Sequence, residues 1–215
     1  MTSRRFRRTL ARAAALALVP ACLAFAPGVD TKKMAPLWQI GWSDNKATEF
    51  ALAPGGYEAY GRDGDFVVAR SDPARDWPYC HPGPADLWAG SRPHTFRIRF
   101  AMAERPSAAC RLVVDLVDTH SQRPPTLTVI VNGRALKHAC GRGGGDGSIQ
   151  GEPGAGREHR FAIRIAPEVL KAGINEICII NGAGSWIVYD CLAFDAPPGT
   201  RLSPVPEPPA EAKQR

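Results

Sequence analysis

His94–Met102 reads HTFRIRFAM. In an extended chain Phe96, Ile98, Phe100 and Met102 fall on one side, and Thr95, Arg97 and Arg99 on the other. That period of two is the signature of a half-buried β-strand. The pattern recurs in both directions. Residues 110–116 put Cys110, Leu112, Val114 and Leu116 on one face. Thr126–Val131 offers Leu127, Val129 and Val131, then runs into Asn132-Gly133, the dipeptide of a tight hairpin turn. Phe161, Ile163 and Ile165 alternate with Ala162 and Arg164. Residues 174–180 and 186–194 are apolar on both faces, as central strands are. Read as neighbours around residues 181–185, they form an antiparallel hairpin. Two shorter strands are expected at 38–42 and 65–70, and one helical turn at 167–172, ended by Gly173. Many short strands, 21 Gly, 20 Pro and no βαβ spacing predict an all-β, antiparallel β-sandwich. No internal repeat is present.

The two ends read differently. Arg4, Arg5, Arg7, Arg8 and Arg12 precede an apolar run at 13–26 that only Pro20 interrupts. A basic start followed by a short apolar stretch is a secretory signal, too short to span a membrane comfortably. Arg4-Arg5 also has the form of a twin-arginine signal, with flanking residues that fit it poorly. Cleavage after Ala26 has the required small residues at Ala24 and Ala26, with Pro27 unfavourable behind the cut. Val19-Pro20-Ala21-Cys22 offers a lipoprotein alternative, cut before Cys22. The mature chain is therefore expected to be secreted or periplasmic, and membrane-associated only if lipidated at Cys22. Residues 27–36 read as a linker, 37–195 as the sandwich, and 196–215, with six prolines, as a disordered tail.

Removing the signal changes the charge argument. Of 27 basic residues five lie in the signal, and none of the 21 acids do, which leaves 22 against 21 and a formal charge of +1. The basic pI belongs to the signal, so nothing points to nucleic acid. Cys80, Cys110, Cys140, Cys178 and Cys191 remain beyond Cys22, an odd number. In the symmetric hairpin above, Cys178 faces Val188 and Asn175 faces Cys191. The two sulfurs are then offset by roughly 10 Å at strand rise, too far for a disulfide. No CxxC and no Cys/His ligand spacing argues for zinc.

Residues 71–93 and 138–158 are long connections. The first holds Asp76, Trp77, Tyr79, His81, Asp86 and Trp88; the second is rich in Gly. Aromatic rings on a loop can stack on the apolar face of a sugar ring while nearby polar groups fix its hydroxyls. The same rings can instead plug the open end of the sandwich. The candidate ligand-binding set is Trp42, Asp44, Asp76, Trp77, Tyr79, His81, Trp88 and His120, expected on one rim. Trp38 reads as core. Asp118-Thr119-His120 follows a strand directly; an Asp–His pair there serves general acid–base work or caps a turn. Asp190 lies inside an apolar strand and needs a partner. If the first and last strands are close, Asp44, Glu49 and Asp190 can supply oxygen ligands to a structural calcium.

Several segments resemble one family. Trp38-Gln39-Ile40-Gly41 with Asp44 and Glu49-Phe50 resembles the start of the C-terminal domain of rhamnogalacturonan lyases, polysaccharide lyase family four. Asp76-Trp77-Pro78-Tyr79, residues 96–100 and Val129-Ile130-Val131-Asn132-Gly133 continue the likeness in order. Gly173-Ile174-Asn175, Asn181, Trp186 and Tyr189-Asp190 complete it. The resemblance implies a galactose-binding-like jelly roll that acts as a non-catalytic carbohydrate-binding module with a polysaccharide or oligosaccharide partner and no obligate cofactor. The family's catalytic Lys and His belong to a separate domain for which this chain is expected to have no room. Two other readings stand beside it: a small lyase or hydrolase using Asp118 and His120 or the aromatic loop at 71–93, and a structural or protein-interaction sandwich without a sugar site.

Overall fold

The computed structural model describes residues 34–207. The expected signal segment with Cys22, most of the linker and the end of the tail lie outside the described residues. Eleven strands are present among them. They are β1 (Ala35–Gly41), β2 (Asp65–Val67), β3 (Cys80–His81), β4 (His94–Met102), β5 (Cys110–Thr119), β6 (Thr126–Val131), β7 (Arg134–Ala139), β8 (His159–Ile165), β9 (Gly173–Ala183), β10 (Ile187–Ala196) and β11 (Leu202–Ser203). A single α-helical turn, α1 (Pro73–Asp76), is capped by the Asp72 side chain, which accepts from the Ala74 amide.

The strands form a jelly-roll sandwich of two sheets. One runs β1-β10-β5-β8, with β3 beside β10; the other runs β11-β4-β9-β6-β7, with β2 beside β4. All pairings between strands are antiparallel except β2 with β4. Inward residues of both sheets build one core, including Trp38, Phe96, Phe100, Leu112, Leu127, Ile177, Tyr189 and Phe194. The sheet-forming rules act as the alternation requires: β6 alternates half-buried and buried residues, with Leu127, Val129 and Val131 inside. Asn132 and Gly133 both take positive φ, 47° and 85°, the conformation of a two-residue turn whose twist matches the strands it joins.

The 174–180 and 186–194 pairing is corrected. β9 and β10 belong to different sheets, so the chain crosses between layers at 184–186 rather than turning back on itself. Both segments are apolar on both faces, which shows that each is central but not in which sheet. Cys178 lies opposite Arg97 and Ile130, while Cys191 lies opposite Gly41 and Asp115. The two cysteines are therefore unbridged, for a different reason from the offset expected above. All five described cysteines are free. The tail is also corrected at its start: Ala196 pairs with Ala35, and Leu202 and Ser203 pair with Met102 and Ala101. β11 and β2 share one edge of β4, just as β1 and β3 share one edge of β10.

The long connections gather at one end. β1 and β5 leave there, β4, β8 and β10 enter there, and the 42–53, 71–93, 120–125, 140–158 and 184–186 segments meet above the core. Residues 77–83 do not lie on the surface of that end. Trp77 is 0% exposed, edge-on to Phe96 at 5.0 Å and to Phe66 at 6.3 Å, and tilted on Tyr189 at 5.4 Å. Tyr79 is buried and its hydroxyl donates to the Ile149 carbonyl of the Gly-rich loop. These rings are the plug. Replacing Trp77 by Ala should therefore cost about 3–5 kcal/mol of stability, in the range of buried Trp truncations. Urea unfolding measures it; a loss below about 1 kcal/mol would mean that Trp77 is not core.

Candidate functional site

Burial removes several side chains from the candidate binding set. Trp77 and Tyr79 are core, as above. His81 is fully buried and stacked on Phe96 with ring centroids 3.9 Å apart. Its Nε2–H donates to the His94 carbonyl at 2.9 Å, and its Nδ1 accepts from the Tyr189 hydroxyl at 2.9 Å. Burial lowers its pKa to about 3, so the ring is neutral. Asp76 has little exposed surface. It accepts from Arg75 and from the Asp72 amide, and the Arg75 guanidinium holds its carboxyl down at about 2. Asp86 is buried and takes its protons from the Gly83 amide at 2.7 Å and the Ser185 hydroxyl. Trp88 is half-buried, edge-on to Tyr57 and Tyr60. A loop this rich in aromatics is read from sequence as a surface platform only if the core already has enough rings; here the end of the core is made of them.

Asp118 and His120 are each bonded elsewhere rather than to one another. His120 Nδ1 accepts from the amides of Gln122 and Arg123 at 3.1 and 2.9 Å, which makes it the cap of a turn. Asp118 is buried and accepts from the Gly144 and Arg157 amides and from the Ser148 hydroxyl, at 2.8, 3.0 and 2.7 Å. A buried carboxylate is tolerated when such donors replace water. It gathers both arms of the Gly-rich loop onto β5. Gly143 passes so close that a Cβ there would sit 1.6 Å from the Thr119 carbonyl oxygen. Part of the Gly content at 138–158 thus comes from close packing rather than from mobility alone.

The motif residues Asn132, Asn175 and Asn181 are scaffold. Asn132 Nδ2 donates to Asn175 Oδ1 at 2.7 Å and to the Val169 carbonyl at 2.9 Å, which ties the β6–β7 turn to the start of β9. Asn181 Nδ2 donates to the carbonyls of Ser185 and His81 and fixes the crossing between the sheets.

Trp42 is different. Its indole is 68% exposed, the one aromatic among the exposed large apolar side chains of the described residues. It borders a groove of about 410 Å³ lined also by Gln39, Glu49, Asp72 and Pro73. The turn that presents it is fixed from below. Asp190 Oδ1 accepts from the amides of Asp44 and Lys46, both at 3.3 Å, and Glu49 Oε1 accepts from the Trp42 amide. Burial, with Asp115 nearby, raises the Asp190 pKa to about 6. Next to this turn Ser43 Oγ donates to Asp115 Oδ2 at 2.6 Å, and Arg160 donates to the same carboxylate oxygen and to Ser43 Oγ. Asp115 Oδ1 is buried without a partner. An exposed indole beside an amide, carboxylates and a guanidinium is what recognition of a hydroxyl-bearing ring requires.

The first and last strands do lie together, yet Asp44, Glu49 and Asp190 do not assemble a calcium cage. Asp190 is occupied by backbone amides, Glu49 by the Trp42 amide, and Asp44 accepts from Lys46. Among the described residues, the group whose ligand atoms converge within 4.8 Å is instead His138, Cys140 and His159. His138 and Cys140 are two apart on the inner face of β7 and its extension, and His159 opens the inner face of β8. Continuing the Phe161, Ile163, Ile165 alternation back by two residues reaches His159, so the placement was available to a period-two reading.

A jelly roll with its long connections at one end and an exposed indole at their margin has the build of a carbohydrate-binding module. Residues 36–194 match the family described as CBM-like, polysaccharide lyase family 4, domain III, and the chain belongs to that family. Comparison with curated proteins gives no match. Similar solved structures include a family 35 carbohydrate-binding module from an environmental isolate, 15% identical, covering 53% of this chain and 72% of that one with a TM-score of 0.36. Others are the CBM35 of Cellvibrio japonicus Abf62 (11% identity, 54% and 73% coverage, TM-score 0.33) and a family 35 module from Clostridium thermocellum (19%, 48% and 70%, 0.31).

The buried His81 has a consequence for acid stability. Its folded pKa of about 3 lies below the ordinary 6.5, so the unfolded chain binds the extra proton between those values. The stability it contributes is complete above pH 6.5 and is lost as pH falls toward 3, by up to about 1.4 kcal/mol per pH unit. A His81→Gln variant should be less stable at neutral pH, with a shallower loss from pH 6.5 to 4.5 by chemical denaturation. Parallel slopes in the two proteins would contradict the assignment.

Proposed function

We propose that this domain binds a polysaccharide through the Trp42 groove and does not cleave it. The observation that carries this reading is the indole left exposed while every ring of residues 71–93 is wholly or partly buried. A sugar ring stacked on Trp42 would meet Gln39, Glu49 and Asp72 at its hydroxyls. Membership of the polysaccharide lyase family 4 domain family, with the resemblance to rhamnogalacturonan lyases, makes pectic polymers the first to try. The non-catalytic part is supported by the engagement of Asp118 and His120 in turn and loop structure. Export, or anchoring through Cys22, is the setting we propose for it, on the strength of the basic and apolar start of the chain.

Titration with oligosaccharides from rhamnogalacturonan tests the site. Trp42→Ala should weaken binding about five- to thirty-fold, equivalent to roughly 1–2 kcal/mol, with the melting temperature unchanged. Equal affinity in the variant and the parent would remove the groove from the site. The same incubation should release no unsaturated uronate by ultraviolet absorbance; turnover that disappears in His120→Ala would overturn the non-catalytic reading.

A further inference from the structure

β7 and β8 are the last strands of the two sheets on the same side of the sandwich, and among the described residues no strand closes the space between them. A cleft of about 310 Å³ runs along it, lined by Leu136, His138, Ile163 and the stems of Arg134 and Arg164. At its upper end three side chains project into the same space. His138 pairs across the ladder with the buried Leu127, and His159 with the buried Leu116, so both rings face inward. Cys140, two residues past His138, is buried on the same side.

We propose that His138, Cys140 and His159 form a binding site for a borderline transition-metal ion of the Zn2+ type. The ligand atoms lie within 4.8 Å of one another, and the two Nε2 atoms are 2.9 Å apart. Four-coordinate zinc with bonds of about 2.0–2.1 Å to nitrogen and 2.3 Å to sulfur sets its ligand atoms about 3.3–3.6 Å from one another. Reaching that arrangement moves the two nitrogens apart by about 0.4 Å and brings the sulfur in by up to about 1.2 Å through rotation about the Cys140 Cα–Cβ bond. Two imidazoles and one thiolate are a donor set for zinc or cobalt and a poor one for calcium or magnesium. Both imidazoles bind as neutral rings, and the Cys140 thiol gives up its proton to solvent as the ion enters, so uptake is favoured by rising pH. His138 is further held by stacking on Phe161 at 3.6 Å. Three protein ligands leave one tetrahedral position for water.

Such an ion would fasten the free edges of the two sheets to each other. It would also close the base of the loop at 141–158, whose interior is already ordered around Asp118. Sequence spacing concealed the site, because the third ligand is supplied across the sheets and not by a short-range motif.

The metal-free full chain titrated with Co2+ should take up one equivalent and show a thiolate-to-cobalt charge-transfer band. Zn2+ should displace the cobalt and raise the melting temperature. Cys140→Ser should abolish the band, and His159→Gln should weaken zinc binding by more than about a hundredfold, the upper end of what lesser changes around a metal site cost. Cys178→Ser should leave both unchanged. Circular dichroism of the variants confirms that each is folded. The absence of stoichiometric uptake, or a charge-transfer band that survives Cys140→Ser, would overturn the proposal.

Discussion

Trp77, Phe96, Tyr189 and His81 pack face and edge against one another, and the loop end of the molecule is built around that contact. The rings come from a connection, two central strands and the short β3, so burying them draws residues 71–93 down onto β10. The Tyr189 hydroxyl and the His94 carbonyl satisfy the imidazole, which lets a polar ring sit in an apolar stack at modest cost. With β3 drawn in, β10 is paired along both edges and buried on both faces. The strand that carries Asp190 is thereby fixed, and with it the turn that presents Trp42. The aromatic plug and the exposed indole are two consequences of one packing arrangement.

Buried and half-buried carboxylates then organise the loops above the plug. Asp118 holds the Gly-rich loop, Asp190 holds the turn at 42–46, and Asp63 accepts from Tyr60, His94 and the Thr95 amide. Hydrogen bonding to those donors offsets the burial of Asp63 and keeps its carboxyl below the usual range. In the first two cases backbone amides stand in for water. An amide cradle of this kind specifies one loop conformation, because each donor must arrive in the correct place for the charge to be tolerated. It also explains why Asp190, although it lies beneath the Trp42 turn, is not available to a ligand.

The strands at His94–Met102 and Thr126–Val131 and the turn at 132–133 could be read directly from alternation, because one buried face imposes a period of two. The relation of β9 to β10 could not, since a strand buried on both faces carries no mark of which sheet it joins. Trp77, Tyr79 and His81 were recognisable as costly residues for a loop to expose, yet composition alone does not distinguish a platform from a plug; only the size of the remaining core decides that. Trp42 was legible only as a ring beside Asp44: it stands in phase with the buried Trp38 and Ile40, and what turns it outward is the end of the strand at Gly41, where φ is 79°. The meeting of His138 and Cys140 with His159 depends on the spacing between two sheets, which no local pattern records. β11 was hidden by the prolines on either side of it, which suit the flanks of an edge strand as well as a disordered tail.

The central claim is that Trp42, and none of the buried rings, meets the sugar. The most direct measurement is the indole Nε1–H region of a nitrogen-15 NMR spectrum during titration with pectic oligosaccharide. The chain has five tryptophans, so each signal can be assigned by single substitution. The Trp42 signal should move progressively to saturation while those of Trp38 and Trp77 stay fixed. Saturable binding that leaves Trp42 unmoved and shifts Trp88 or Trp186 instead would place the ligand elsewhere on the loop end and contradict the account.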